Sequence, residues 1–430
     1  MSTITKEKAI IVGVIRPEDT AESVNDSLDE LELLADTAGA EVTDRMVQRL
    51  SRIQSSTYIG KGKVDELKDL VSEHKSDLVL FDDDLSPVQL RNLEKALDCK
   101  LVDRSGLILD IFASHARTAV AKTQVELAQL TYLRSRLTRQ WTHLSRQKGG
   151  IGFKGPGETQ IETDRRLIGT RISTLKQKLE KIDLQRQTQR KNRHTFDRVS
   201  LVGYTNAGKS TLMNAMAGTD VFSEDQLFAT LDATTRVTRL GDGRQVLLSD
   251  TVGFIRKLPH GLIESFKSTL DEARESDILL HVVDATRKDI AEQIEVVEET
   301  LRDLGIKNKP TLMVFNKIDM RPDAERLAYL KSEYEDAVFV SALRGIGLTE
   351  LEESLAEMIS RDHVDQELTF PASQTKLISR IHDLSTVLDE QYSYEKGSAN
   401  GSSQATITIR FKTSSRNLSE LMIMYDRSQK

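Results

Sequence analysis

The segment Gly203-Tyr204-Thr205-Asn206-Ala207-Gly208-Lys209-Ser210 constrains this chain more than any other. It fits Gly-x4-Gly-Lys-Ser/Thr, follows the apolar run Val199 to Val202, and precedes a helical pattern that runs through Ala217. A strand, a glycine turn and a helix in that succession cradle phosphate. The glycines let backbone amides close around a β-phosphate at a helix N-terminus, Lys209 reaches the β- and γ-oxygens, and the Ser210 hydroxyl ligates Mg²⁺. Compact apolar runs at Val246 to Leu248, Ile278 to Val283, Thr311 to Phe315 and Val338 to Val340 extend the pattern. They read as buried parallel strands of an α/β fold.

A chain of 430 residues exceeds one hydrophobic core and predicts roughly two to four domains. Residues 1–115 alternate strands (Ala9 to Ile15, Glu41 to Leu50, Leu78 to Phe81) with helices (Ser27 to Ala38, Lys63 to Glu73, Ser86 to Leu97), an N-terminal α/β domain with a largely parallel sheet. The run Gly60-Lys61-Gly62-Lys63 lacks the remaining spacing of a phosphate loop and reads as a helix-initiating turn. Residues 116–196 form an antiparallel helical hairpin. One arm carries Leu127, Leu130, Leu137, Trp141 and Leu144 on a stripe, and the other Ile161, Ile168, Ile172, Leu175, Leu179 and Ile182. Five glycines and Pro156 between Gly149 and Gly157 break the helix at its tip. Each arm would reach about 45 Å at helical rise. Residues 197–362 hold the phosphate loop in a mostly parallel sheet. Residues 363–430 suggest a small α+β domain, with a helix near Lys376 to Leu388 and a strand alternating Ile407, Ile409 and Phe411.

The formal charge of −7 argues against nucleic acid only if it is evenly spread. It is not: Arg117 to Arg198 holds 19 Lys plus Arg against 7 Asp plus Glu, a segment of +12 in a remainder of −19. Arg139, Arg146, Lys148, Lys154, Arg165 and Arg166 are candidate RNA contacts. Trp141 suits core packing better than base stacking. No apolar run spans a bilayer, the first residues lack a secretory pattern, and the single Cys99 makes no intrachain disulfide, so a cytoplasmic protein is expected. His281, inside an apolar strand, and Cys99 read as structural, without metal-ligand partners at useful spacing.

Asn316-Lys317-Ile318-Asp319 follows a buried strand and resembles the Asn-Lys-x-Asp motif with which translation-factor-like GTPases grip guanine. The chemistry agrees, because one carboxylate accepts from both guanine N1–H and its exocyclic amine. Asp250-Thr251-Val252-Gly253 resembles that family's Asp-x-x-Gly, which implies Mg²⁺ held by Asp250 through water and the γ-phosphate sensed by the Gly253 amide. Phe228-Ala229-Thr230-Leu231-Asp232 resembles switch I, with Thr230 closing the Mg²⁺ shell; Thr234 and Thr235 are weaker substitutes. Ser341-Ala342-Leu343 resembles the guanine-edge loop. Phe254 stands where Ras-like enzymes carry a water-orienting glutamine, so slow intrinsic hydrolysis is expected and the activating group is unidentified. Lys209 and Gly253 would support the transition state. Asn206 matches the asparagine of potassium-stimulated relatives, which implies K⁺ near the phosphates.

Three further segments make the whole chain resemble HflX, a family of bacterial ribosome-associated GTPases: Tyr58 to Lys63, Asp103 to Phe112 and Gly155 to Arg166. The resemblance implies GTP and GDP as ligands and contact of the N-terminal domain and hairpin with the large ribosomal subunit and its rRNA; a monomer is expected. It further implies splitting or rescue of stalled ribosomes, or blocked subunit association, under stress. The rival readings are a nucleotide-dependent RNA-remodelling ATPase and a non-ribosomal regulatory interaction protein.

Overall fold

A computed structural model describes residues 6–137, 156–190, 196–218, 227–228, 231, 234–259, 262, 267–320, 324–395 and 404–428. Its first unit runs β1 (Glu7–Ile15), α1 (Ala21–Thr37), β2 (Ala40–Arg49), α2 (Lys61–His74), β3 (Leu78–Phe81), α3 (Pro87–Leu97), β4 (Lys100–Asp103) and α4 (Arg104–His115). The strands form one all-parallel sheet in the order β2-β1-β3-β4. β1 is buried on both faces. Ala9 and Ile11 pack toward Leu28, Leu31 and Ile108 on one side, and Ile10 and Val12 toward Val64, Leu67 and Leu93 on the other. α1 begins earlier than its apolar pattern because the Thr20 hydroxyl accepts the Ser23 amide. Gly60 is the N-cap of α2, in keeping with a helix-initiating turn. β4 has only four residues, too short for a periodicity signal.

Helices α5 (Ala119–Leu137) and α6 (Pro156–Arg190) follow and pack against each other. Their seam is the expected stripe: Leu127 and Leu130 meet Ile168, Ile172, Leu175 and Leu179. Pro156 and Gly157, read from sequence as part of the break, lie instead in the first turn of α6. Proline fits there, since first-turn amides have no intrahelical acceptor. Residues 138–155, with Trp141 and most of the glycine run, lie outside the described residues.

The third unit comprises β5 (Asp197–Gly203), α7 (Lys209–Ala217), β6 (Thr234–Arg239), β7 (Gln245–Asp250), α8 (Lys267–Glu275), β8 (Ile278–Asp284), α9 (Ile290–Asp303), β9 (Thr311–Asn316), α10 (Ala324–Glu333), β10 (Val338–Phe339) and α11 (Leu348–Asp362). The sheet order is β10-β9-β8-β5-β7-β6. Five strands are parallel as expected, and β6, absent from the sequence reading, is an antiparallel edge. An apolar cluster continues from Ile108, Ile111 and Phe112 into Phe228, Val252 and Phe254, so the first and third units share core.

The chain ends in β11 (His363–Pro371), α12 (Thr375–Leu384), β12 (Thr386–Glu395), β13 (Gln404–Ser414) and α13 (Ser415–Ser428), an antiparallel sheet β11-β13-β12 covered by two helices. The helix expected to reach Leu388 stops at Leu384. Ser385 is extended, and the β-branched pair Thr386-Val387 opens a strand.

Candidate functional site

The glycine-rich loop takes the shape its residue types allow. Gly203 has φ 149, and a Cβ there would sit 2.2 Å from the Val282 carbonyl oxygen; Gly208 has φ 90, and a Cβ would meet Asn316 Nδ2 at 2.2 Å. No other residue fits either place. Lys209 Nζ donates to the Gly203 and Tyr204 carbonyls at 3.1 and 2.8 Å, which presets the ammonium at the start of α7. Burial pushes its pKa down to about 8, with Asp250 opposing the shift and Lys317 adding to it. The Ser210 hydroxyl donates to Asp250 Oδ2 at 2.6 Å, bringing together the hydroxyl and carboxylate that the sequence proposed for a metal.

Gly253 lies against this loop: a Cβ there would stand 2.7 Å from Thr205 Cα and 3.0 Å from Lys209 Nζ. The Phe254 amide donates to the Gly203 carbonyl at 3.1 Å, and its carbonyl accepts the Thr205 amide at 2.7 Å. Phe254 is buried, and so are Thr251, Val252, Phe228 and Leu231. The Thr251 hydroxyl donates to the Leu201 carbonyl. The Phe228 ring meets Phe112 edge-on at 4.6 Å, its amide donates to Thr205 Oγ1, and its carbonyl lies 3.0 Å from His115 Nδ1. These side chains therefore serve packing, and only their backbones could face a ligand. Ala229, Thr230 and Asp232 lie outside the described residues. Thr235 contacts Ser249 in the β6–β7 pair, beside Thr234.

On the far side, Asn316 ties two loops together. Its Nδ2 donates to the Ala207 carbonyl at 2.9 Å, and its Oδ1 accepts the Ala342 amide at 3.0 Å. Ser341 Oγ donates to Asp319 Oδ1 at 2.7 Å and fixes that carboxylate. Ile318 is half-buried, its amide donating to the Val340 carbonyl, whereas Leu343 is exposed.

Tyr204, Thr205, Asn206, Gly208, Asn316, Lys317, Asp319 and Leu343 line one cavity of about 580 Å³. Nine residues that the sequence reading did not name line it too: Glu30 and Leu33 of α1, Thr211 of α7, Leu227, Asp284 at the end of β8, Thr286 and Arg287 after it, Gln293 of α9, and Met320. Asp284 carried a readable signal, a carboxylate ending an apolar strand. Glu30 and Leu33 carried none, because only the packing of α1 brings them there.

Elsewhere, Arg165 and Arg166 are exposed on α6, while Arg139, Arg146, Lys148 and Lys154 lie outside the described residues. Burial pushes the Cys99 thiol up to about 11 and, with the Lys209 charge, His281 down to about 4. Among the described residues no group of three His, Cys, Asp or Glu side chains could hold a metal alone, and no helix is long and apolar enough to cross a membrane.

Family models described as GTP-binding GTPase N-terminal, GTP-binding GTPase Middle Region and 50S ribosome-binding GTPase match residues 25–113, 115–193 and 198–317. The chain is 48% identical to a GTPase HflX of Flavobacterium psychrophilum over 84% of this chain and 92% of that one. It is 44% identical to the GTPase HflX of Escherichia coli K12 over 91% and 92%. A crystal structure of a GTP-binding protein from Sulfolobus solfataricus with GDP aligns at TM-score 0.42 and 24% identity, over 82% of this chain and 98% of that one.

Proposed function

The chain belongs to the HflX family of GTPases, and we propose that it is a GTP-hydrolysing switch whose nucleotide state sets its affinity for the large ribosomal subunit. The observation that carries the reading is the meeting of Lys209, Ser210 with Asp250, and Asp319 with Ser341 around one glycine-walled site.

In this reading the loop amides from Tyr204 to Ser210 and the Lys209 ammonium take the β- and γ-phosphates. Asp319 accepts from guanine N1–H and the exocyclic amine, with Ser341 holding its other bonding direction. Ser210 and Asp250 fit Mg²⁺, a hard cation that takes oxygen ligands, and Thr230 would complete the shell. Bound there, Mg²⁺ supplies positive charge to the phosphate oxygens. The Gly253 amide reads the γ-phosphate. Phe254 brings no hydrogen-bonding group, so intrinsic hydrolysis is slow and depends on ordering from elsewhere. Asn206, in the left-handed region at φ 60 and on the cavity wall, would take a monovalent cation; unchanged single-turnover hydrolysis on replacing potassium with sodium would remove that role.

The ribosomal part of the proposal rests on the family model over residues 198–317 and on the basic arm. Arg165 and Arg166 and their outlying neighbours would neutralise rRNA phosphates in a cavity too narrow for a globular domain. GTP orders both switches and hydrolysis releases them, so the factor separates or holds apart ribosomal subunits in one state and leaves in the other. The protein would act in the cytoplasm. Sedimentation with purified large subunits tests this: co-sedimentation is expected with a non-hydrolysable GTP analogue and much less with GDP. Its absence in both states would favour a protein-binding coil instead.

A further inference from the structure

On one wall of the cavity Lys317 of the Asn-Lys-x-Asp motif pairs with Asp284, a carboxylate that belongs to none of the motifs. Asp284 ends β8 directly opposite Asn316 of β9, and the Ala285 amide donates to the Asn316 carbonyl at 2.9 Å. The two halves of the Asp284 carboxylate do different things. Oδ1 accepts the Thr286 amide at 2.9 Å and the Thr286 hydroxyl at 2.6 Å, which stops the carboxylate rotating. Oδ2 lies 2.9 Å from Lys317 Nζ. Both side chains line the cavity, with Asp284 10% and Lys317 22% exposed. Lys317 also has φ 66, a left-handed backbone that a lysine keeps only when its surroundings enforce it.

We propose that Asp284 is a positioning residue for the nucleotide base: it holds the Lys317 ammonium so that the lysine's four-carbon stem stands as a fixed apolar wall of the base slot. The inference rests on reading the cavity as a guanine-nucleotide site. A lysine stem has four rotatable bonds, and ordering it only when the ligand arrives would weaken binding. The bond to Asp284 supplies that ordering from within the protein. Specificity for guanine stays with Asp319, so Asp284 should govern how tightly the base is held and not which base is chosen. The pair also offsets a positive charge that bears on Lys209.

Asp284→Asn keeps an acceptor for the Thr286 turn and removes the charge, and Lys317→Met keeps an unbranched stem and removes the ammonium. Binding and release of a fluorescent GDP, with steady-state GTP hydrolysis, are the readouts. Asp284→Asn should raise Kd and KM about tenfold through faster release, the scale of one partly buried charge pair, with kcat within about twofold. The double variant should be no weaker than Lys317→Met alone. The ratio of GDP to IDP affinity should stay within about twofold of the parent. Unchanged Kd in Asp284→Asn, or losses that multiply in the double variant, would overturn the proposal. Should Asp284→Asn fail to fold, Thr286→Val loosens the carboxylate instead. It should weaken GDP measurably in the parent and not in Lys317→Met, and no effect in the parent overturns the proposal equally. Failure of the underlying reading is separate: the parent protein would then bind GDP no better than ADP.

Discussion

Tyr204 donates its phenol hydrogen to Glu30 Oε1 at 2.6 Å, joining the glycine-rich loop to α1 of the N-terminal sheet. The Tyr204 phenol oxygen itself accepts the Arg256 amide at 2.8 Å. Glu30 pairs in turn with buried Arg104, Arg104 with Asp82, and Asp82 and Asp83 with Lys257. The segment after Asp-x-x-Gly is thus held from two sides. Tyr204→Phe keeps the ring and strips both hydrogen bonds. It should cost about 1–3 kcal/mol in urea unfolding, the usual penalty for leaving buried polar groups short of a partner. Glu30→Ala should cost about 3–5 kcal/mol, because it leaves the Arg104 charge less compensated. Equal stability of Tyr204→Phe and the parent would show that water replaces the phenol.

Gly253 is the second position to test. Its missing side chain leaves 2.7 Å to Thr205 Cα, which real Cβ atoms do not tolerate. Gly253→Ala should push the switch segment off the loop. A GTP analogue should then bind about tenfold or more weakly, about 1.4 kcal/mol, with a smaller loss for GDP, which has no γ-phosphate to meet the Gly253 amide. Competition against a fluorescent nucleotide distinguishes the two.

Much of the site was legible because its chemistry sits at strand ends. Lys209, Asp250 and Asn316 each follow an apolar run, and short buried strands announce themselves by composition. What escaped has physical reasons. β6 reads Thr-Thr-Arg-Val-Thr-Arg, an edge strand with only Thr238 buried, so it lacks the apolar run of its neighbours. The first three residues of β12, Thr386 to Leu388, fall within the helix expected from Lys376 to Leu388, and the structure ends that helix at Leu384, before the extended Ser385. Glu30 joins the cavity through tertiary packing across 174 residues, which no local pattern encodes. The packing of the Phe228 ring against Phe112 is likewise a tertiary contact, over more than a hundred residues of chain, that no local pattern encodes.

Arg165 and Arg166 are exposed on α6, so their replacement should leave the fold and GTP affinity unchanged. If both touch rRNA phosphates, the double Ala variant should lower the slope of log affinity against log salt by about one to two, and weaken large-subunit binding in proportion. Sedimentation across a salt series measures this. An unchanged slope would make them ordinary helix-surface charges.

Lys209 and His281 give opposite pH signatures. With a pKa of about 8, Lys209 is an ammonium at neutral pH in the ligand-free protein, so initial nucleotide capture should fall as pH rises past about 8. Lys209→Ala should abolish the dependence with most of the affinity. His281 titrates at about 4 in the fold, because burial and the Lys209 charge disfavour its cation, against about 6.5 unfolded. Its folded pKa is depressed, so the unfolded chain binds the extra proton. Stability is therefore full above about pH 6.5 and is lost as pH falls toward 4, by up to about 3 kcal/mol. Carboxylates also titrate in this window, so the comparison is with His281→Gln, whose stability should fall less steeply between pH 6.5 and 4. Parallel pH curves for the two proteins in urea titrations would mean that His281 finds a compensating partner when protonated.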